Sequence, residues 1–208
     1  MRRGWIGAVA AAAFAWASGA SAQPIQPQGA ITTFAGGGMA DACADAAARG
    51  ETGVHAEQVC AQALDTQALL PLDRAGTMVN LGIIRLRSGR YAEADTDFSM
   101  AIRFMPDLAE AYVNRGAARI GMRQFKAAVD DVDKALSLGV KEPQKAYYDR
   151  GLAYEWLDNP KAAYADYKKA LEISPAWDLA REQMYRFKFT HSEVVEADAA
   201  AAKPEPKP

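Results

Sequence analysis

Three stretches of this chain lie over one another without a gap, and that register constrains the fold more than any other feature. They are Asn80–Pro106 "NLGIIRLRSGRYAEADTDFSMAIRFMP", Asn114–Val140 "NRGAARIGMRQFKAAVDDVDKALSLGV" and Asp149–Pro175 "DRGLAYEWLDNPKAAYADYKKALEISP". Gly82, Gly116 and Gly151 share one column, 34 and 35 residues apart. Ala94, Ala128 and Ala163 form a second, Ala101, Ala135 and Ala170 a third, and Asp97, Asp131 and Asp166 a fourth. A period of this length marks a stacked repeat, in which each unit buries its apolar face only against its neighbours. Four invariant columns across three gapless 27-residue blocks are too regular for coincidence, even in an alanine-rich chain.

Each block divides into two halves with apolar residues at helical spacing. Between the halves sits a turn: Ser88-Gly89-Arg90, Met122-Arg123-Gln124 or Leu157-Asp158-Asn159-Pro160. The pattern predicts two antiparallel helices per unit, with the small glycine of the first helix opposing the small alanine of the second. Bulk fills the rest, from Met78, Tyr112 and Tyr147 early in the first helix and Phe98, Val132 and Tyr167 in the second. Pro106 and Pro175 stop the second helix.

A bulky residue four before the glycine, alanines 12 and 19 after it and proline 24 after it resemble the tetratricopeptide repeat. Val140 replaces the proline in the middle copy, where the link "GVKEPQ" is one residue longer. The resemblance covers about Asp73 to Thr190. It implies an all-α, right-handed solenoid of antiparallel helix pairs, with units at about 75–108, 109–143 and 144–177. It also implies a concave surface that holds peptides or protein partners. In that geometry the groove is lined by Val79, Ile83 and Leu86, then Val113, Asn114, Ala117 and Ile120, then Lys145, Tyr148, Leu152 and Trp156. Tyr148, Leu152 and Trp156 are the leading candidates among them. The sparse charged rim (Arg87, Glu110, Lys145, Glu155) suits an amphipathic helix or an extended apolar peptide. The chain's own N-terminal segment or tail is the competing occupant. One subtype of the family clamps a C-terminal carboxylate with basic residues and asparagines on this face. Asn114 and Lys145 match that set, whereas Val79, Ile83 and Asp149 depart from it, which disfavours such a clamp.

A solenoid needs a polar cap at each end. After Pro175, Trp177, Ala180, Met184 and Phe187 fall on one stripe, which predicts a capping helix over 177–189. Residues 191–208, without apolar periodicity and closing on alternating prolines, are expected to be disordered. At the front, Arg2-Arg3, an apolar run and Ala20-Ser21-Ala22 are built like a signal peptide over 1–22, cleaved after Ala22. The expectation is an exported, periplasmic bacterial protein whose mature chain has no membrane span. A proline-, glutamine- and glycine-rich linker covers 23–38, and a degenerate first repeat covers 39–72. Aligning Ala56 and Ala63 with the alanine columns puts Cys60 in the bulky column and Cys43 on the facing helix. Export permits a disulfide, and the register then pairs Cys43 with Cys60 as a structural staple.

The aspartate column meets an arginine before the glycine in two units, predicting Arg115–Asp131 and Arg150–Asp166 bridges; the first unit has Leu81 there, so Asp97 must find another partner or remain solvated. Without Arg2 and Arg3, 22 basic residues stand against 26 acidic ones, a net charge of −4 that argues against nucleic-acid binding. His55 and His191 lie near no nucleophile or metal-ligand pattern, and "AGGG" at 35–38 lacks the lysine of a phosphate loop. No catalytic set, metal site or cofactor is therefore expected. The reading is a non-enzymatic interaction module or adaptor. A self-associating homo-oligomeric subunit of an envelope assembly is the alternative, and a cell-envelope hydrolase is the weakest.

Overall fold

The computed structural model describes residues 28, 29 and 37–201. The signal-peptide expectation, most of the linker and residues 202–208 lie outside the described residues. Ten helices and no strand occur among the described residues. They are α1 (Met39–Arg49), α2 (Val54–Thr66), α3 (Pro71–Arg87), α4 (Tyr91–Phe104) and α5 (Ala109–Gly121), followed by α6 (Phe125–Ser137), α7 (Pro143–Trp156), α8 (Pro160–Ile173), α9 (Asp178–Thr190) and α10 (Ser192–Ala201). The pairs α1/α2, α3/α4, α5/α6 and α7/α8 stack in chain order. Within the stack α1, α3, α5 and α7 also touch in succession, so the first helices form the inner wall.

Local chemistry sets the helix ends. Pro71, Pro143 and Pro160 open their helices where the missing N–H is not needed. The Asn159 side chain accepts from the Ala162 N–H at 3.2 Å and caps α8. The turns within the three units place Gly89, Arg123 and Asp158 in the left-handed region, at φ 75°, 62° and 55°. Only glycine adopts that conformation freely; at the other two it costs about 1 kcal/mol.

The glycine column behaves differently from the sequence-based expectation. A Cβ added to Gly82 would come 2.5 Å from Phe98, one on Gly116 2.9 Å from Val132, and one on Gly151 2.6 Å from Tyr167. The glycines therefore oppose the bulky column first, and at Gly116 the Ala128 backbone carbonyl lies close as well, 3.3 Å from the added Cβ. A bulky side chain (the Phe98 or Tyr167 ring, or the branched Val132) laid on bare helix backbone fills the gap more completely than two small residues would. Ala94, Ala101, Ala128, Ala135, Ala163 and Ala170 are all fully buried.

The aspartate column is paired throughout. Arg115 meets Asp131 through two bonds of 2.7 and 2.9 Å, and Arg150 meets Asp166 at 2.7 and 2.8 Å. Asp97 is reached by Arg85, which donates to both carboxylate oxygens at 2.7 and 2.8 Å. Arg85 lies one helical turn beyond Leu81, so the same carboxylate is approached from the next rung. Arg85 also bonds Glu57 at 3.2 Å and so ties α2 to the first unit.

The N-terminal pair has few bulky residues. Cys43 and Cys60 lie fully buried at its centre with sulfurs 2.07 Å apart, among Ala46, Ala47 and Ala56. At the other end Ala180, Met184 and Phe187 of α9 are buried against α8, with Trp177 and Tyr148 packed in. One expectation is corrected here. Ser192–Ala201 is helical rather than disordered, and α10 packs on α8 and α9. Its alanines favour helix without any apolar periodicity, and Lys168 holds it through Asp198 at 2.9 Å.

Candidate functional site

Two residues before each repeat glycine, on the inner wall, the units carry Asn80, Asn114 and Asp149. All three are buried, at 0, 1 and 0 % exposure, although none is apolar. Asp149 on α7 and Asn114 on α5 converge on a piece of chain from outside the repeats. The Gln28 N–H donates to Asp149 Oδ1 at 2.8 Å, and the Gly29 main chain adds a second bond to the same carboxylate. Asp149 Oδ2 is buried without a hydrogen-bond partner among the described residues. Burial pushes the Asp149 carboxyl up to about 7, against the pull of the two main-chain donors and of Lys145 one turn away. Lys145 itself is paired to Glu142 at 2.8 Å.

Asn114 is fixed by its own helix, since its Nδ2 donates to the Glu110 carbonyl at 2.7 Å. The amide oxygen faces buried Gly29, so closely that a Cβ on Gly29 would be driven into it. The same Cβ would lie 3.4 Å from Leu86 of α3. The Gln28–Gly29 dipeptide thus lies against Leu86 of α3, Asn114 of α5 and Asp149 of α7. The carboxylate takes main-chain N–H groups and the amide oxygen closes off the space beside Gly29, so the site reads backbone and the absence of a side chain.

The expected groove residues fall in different places. Leu86, Asn114 and Lys145 belong to this site. Val79, Ile83 and Ala117 lie in the N-terminal core, Val113 in the middle one, and Ile120 beside Ala128 and Ala153. None of these is more than 2 % exposed, because adjacent first helices close over their apolar flanks. Two of the leading candidates are corrected as well, by packing against the second helix and the cap. Tyr148 packs on Trp177 and Tyr167, at 5.1 and 5.9 Å between ring centres, and Leu152 joins that core. Burial pushes the Tyr148 hydroxyl up. Trp156 is 46 % exposed but stacks on Phe125 at 5.4 Å, with the Arg123 guanidinium 4.7 Å from its ring centre. It covers the turn of the preceding unit. Asp149, Gln28 and Gly29 were absent from the expected set. The signal for Asp149 was in the alignment, as the one acid in a column otherwise held by asparagine.

Residues 145–176 match the family model described as tetratricopeptide repeat. The rat mitochondrial import receptor subunit TOM70 is 34% identical over 107 residues, covering 49% of this chain and 17% of the receptor. Human sperm-associated antigen 1 is 32% identical over 108 residues, covering 48% of this chain and 12% of that protein. The chain thus spans less than a fifth of these relatives' length. Among solved structures, the Arabidopsis OM64 tetratricopeptide domain aligns with TM-score 0.55 and 28% identity, covering 58% of this chain and 99% of that one. The first such domain of RPAP3, solved with an HSP90 peptide, aligns at TM-score 0.53 and 24% identity, over 57% and 93% of the two chains. A MamA structure reaches 0.60 at 19% identity, over 78% and 92%. Repeat register, helix-pair stacking, family model and structural likeness agree: the chain carries tetratricopeptide repeats, of which residues 145–176 match the family model itself.

Proposed function

We propose that this chain is a non-enzymatic interaction module of the exported cell envelope, binding an extended peptide segment of a partner along its inner wall. The observation that carries the reading is the buried Asp149 carboxylate, which accepts main-chain N–H bonds from a segment outside the repeats. A buried polar group without a folding role is costly to keep, and here Asn114 and Asp149 both face the Gln28–Gly29 segment. Export after Ala22 gives the Cys43–Cys60 pair an oxidising compartment in which to close. Among the described residues no helix is long and apolar enough to cross a membrane. A domain of the same fold has been solved holding the HSP90 peptide SRMEEVD. In this chain an acid stands on α7, the last helix of the wall, so an acidic chain end is repelled there and main-chain donors are favoured.

The test is photo-crosslinking of the natively exported full chain, with the reactive side chain at Lys145, beside the site. Envelope proteins captured by the otherwise unaltered chain and lost with Asp149→Ala are the expected result. An unchanged capture profile removes the inner wall as the binding surface. Two titratable free thiols in the purified exported protein remove the disulfide and weaken the assignment of compartment.

A further inference from the structure

The Gln28–Gly29 dipeptide is the only described stretch before α1 that touches the repeats from so far away in sequence, 121 residues from Gln28 to Asp149. Its two neighbouring N–H groups meet one carboxylate, and its glycine sits against the pinned amide of Asn114. Gly29 is not among the glycines with positive φ, so its backbone conformation is open to any residue. The demand for glycine is spatial and is set by Asn114 and Leu86.

We propose that the Gln28–Gly29 segment is an internal occupant of the inner wall, and that the partner replacing it is an extended, glycine-bearing segment of the same chemistry. Such a segment offers two consecutive main-chain N–H groups to Asp149 and a residue without a side chain to Asn114. Proline is excluded from both positions, because it removes a donor. An acidic chain end is excluded by Asp149. The inference rests on the inner wall being the binding site, and it adds both the partner's chemistry and its regulation: the partner must first displace the chain's own segment.

Two measurements on the full chain test it. In the wild type the Gln28 and Gly29 amides should exchange at least about tenfold more slowly than in a free peptide, and Asp149→Ala should abolish that protection. The second probe is a labelled synthetic peptide of residues 23–34, QPIQPQGAITTF. Gly29→Trp, a change outside every helix, should open the site. The opened chain should bind the peptide at least about tenfold more tightly than the wild type does. A peptide with alanine in place of its glycine should bind about tenfold more weakly or not at all. Trimming Asn114→Ala should restore binding of the alanine peptide. Unprotected amides, equal peptide affinity of wild type and Gly29→Trp, or indifference to the alanine would each overturn the proposal. Peptide binding to the opened chain with no envelope partner captured sinks the adaptor reading alone. A partner captured equally by wild type and Gly29→Trp sinks only the internal occupant.

Discussion

Replacing Asp149 by asparagine should stabilise the protein above neutral pH and leave it nearly unchanged in acid. The reasoning starts from burial. Asp149 is fully enclosed, and desolvation carries its carboxyl from the usual value of 3.8 to about 7, with Lys145 and two main-chain donors opposing it. An acid whose folded value is raised binds a proton more tightly folded than unfolded. Its cost to stability is therefore absent below pH 4, grows between 4 and 7, and is complete above 7. A rise from near 4 to about 7 corresponds to roughly 4 kcal/mol when the group is forced to ionise in place. Local opening of the Gln28–Gly29 contact lets water reach the carboxylate, so the measured difference should be about 2–4 kcal/mol. Asparagine keeps the acceptor for Gln28 and carries no charge. The assay is urea unfolding of wild type and Asp149→Asn at pH 4, 6, 7 and 8.5, with the difference between the two taken at each pH. That subtraction removes every other titrating group. The expected difference is within about 1 kcal/mol at pH 4 and favours asparagine increasingly up to pH 8.5. A difference that is flat with pH, or one favouring aspartate in alkali, refutes the reasoning.

Gly151→Ala should destabilise by about 1–3 kcal/mol, because its Cβ meets a Tyr167 ring held by Glu155, Gln183 and Phe187. Thermal melts should show recovery when Tyr167→Leu is added, and purely additive losses would discount the ring-on-backbone contact. For Arg150 and Asp166, a double-mutant cycle to alanine should give a coupling of about 1–3 kcal/mol, since the aspartate is 7 % exposed and doubly bonded. Zero coupling would mean the pair only sets register. Asp158→Gly should raise stability by about 0.5–1 kcal/mol by relieving its left-handed turn, and a lower melting temperature would contradict this.

The helix pairs, their turns, the cap stripe and the Arg115–Asp131 and Arg150–Asp166 pairs were legible because each repeats with a period. Three aligned copies turn a weak local preference into a column. Features that occur once were harder to place. The α10 helix has no apolar periodicity, and its alanine propensity counts only once a scaffold is there to hold it. Arg85 serves Asp97 from a different rung, so the column in which its sister arginines sit gave no clue. The inner wall misled for a different reason. Side chains assigned to a ligand by helix face are consumed by packing, Val79 in the N-terminal core and Tyr148 against Tyr167 and Trp177. Only packing of whole helices decides that. Asp149 stood out in the alignment, but its partner lies 121 residues away in a segment without periodicity.

The column of Asn80, Asn114 and Asp149 also bears on how such a protein changes over generations. The glycines, alanines and arginine–aspartate pairs that hold the stack occupy other positions of the period. One letter in each 34- or 35-residue stretch can therefore be altered without touching the residues that hold the stack, at the stability cost that a buried charge carries. Asparagine there presents a neutral amide and aspartate a charge, so a single base change in a codon retunes what the surface prefers. Scaffold and taste are inherited separately, and a lineage of this design can exchange its clients while its architecture stands still.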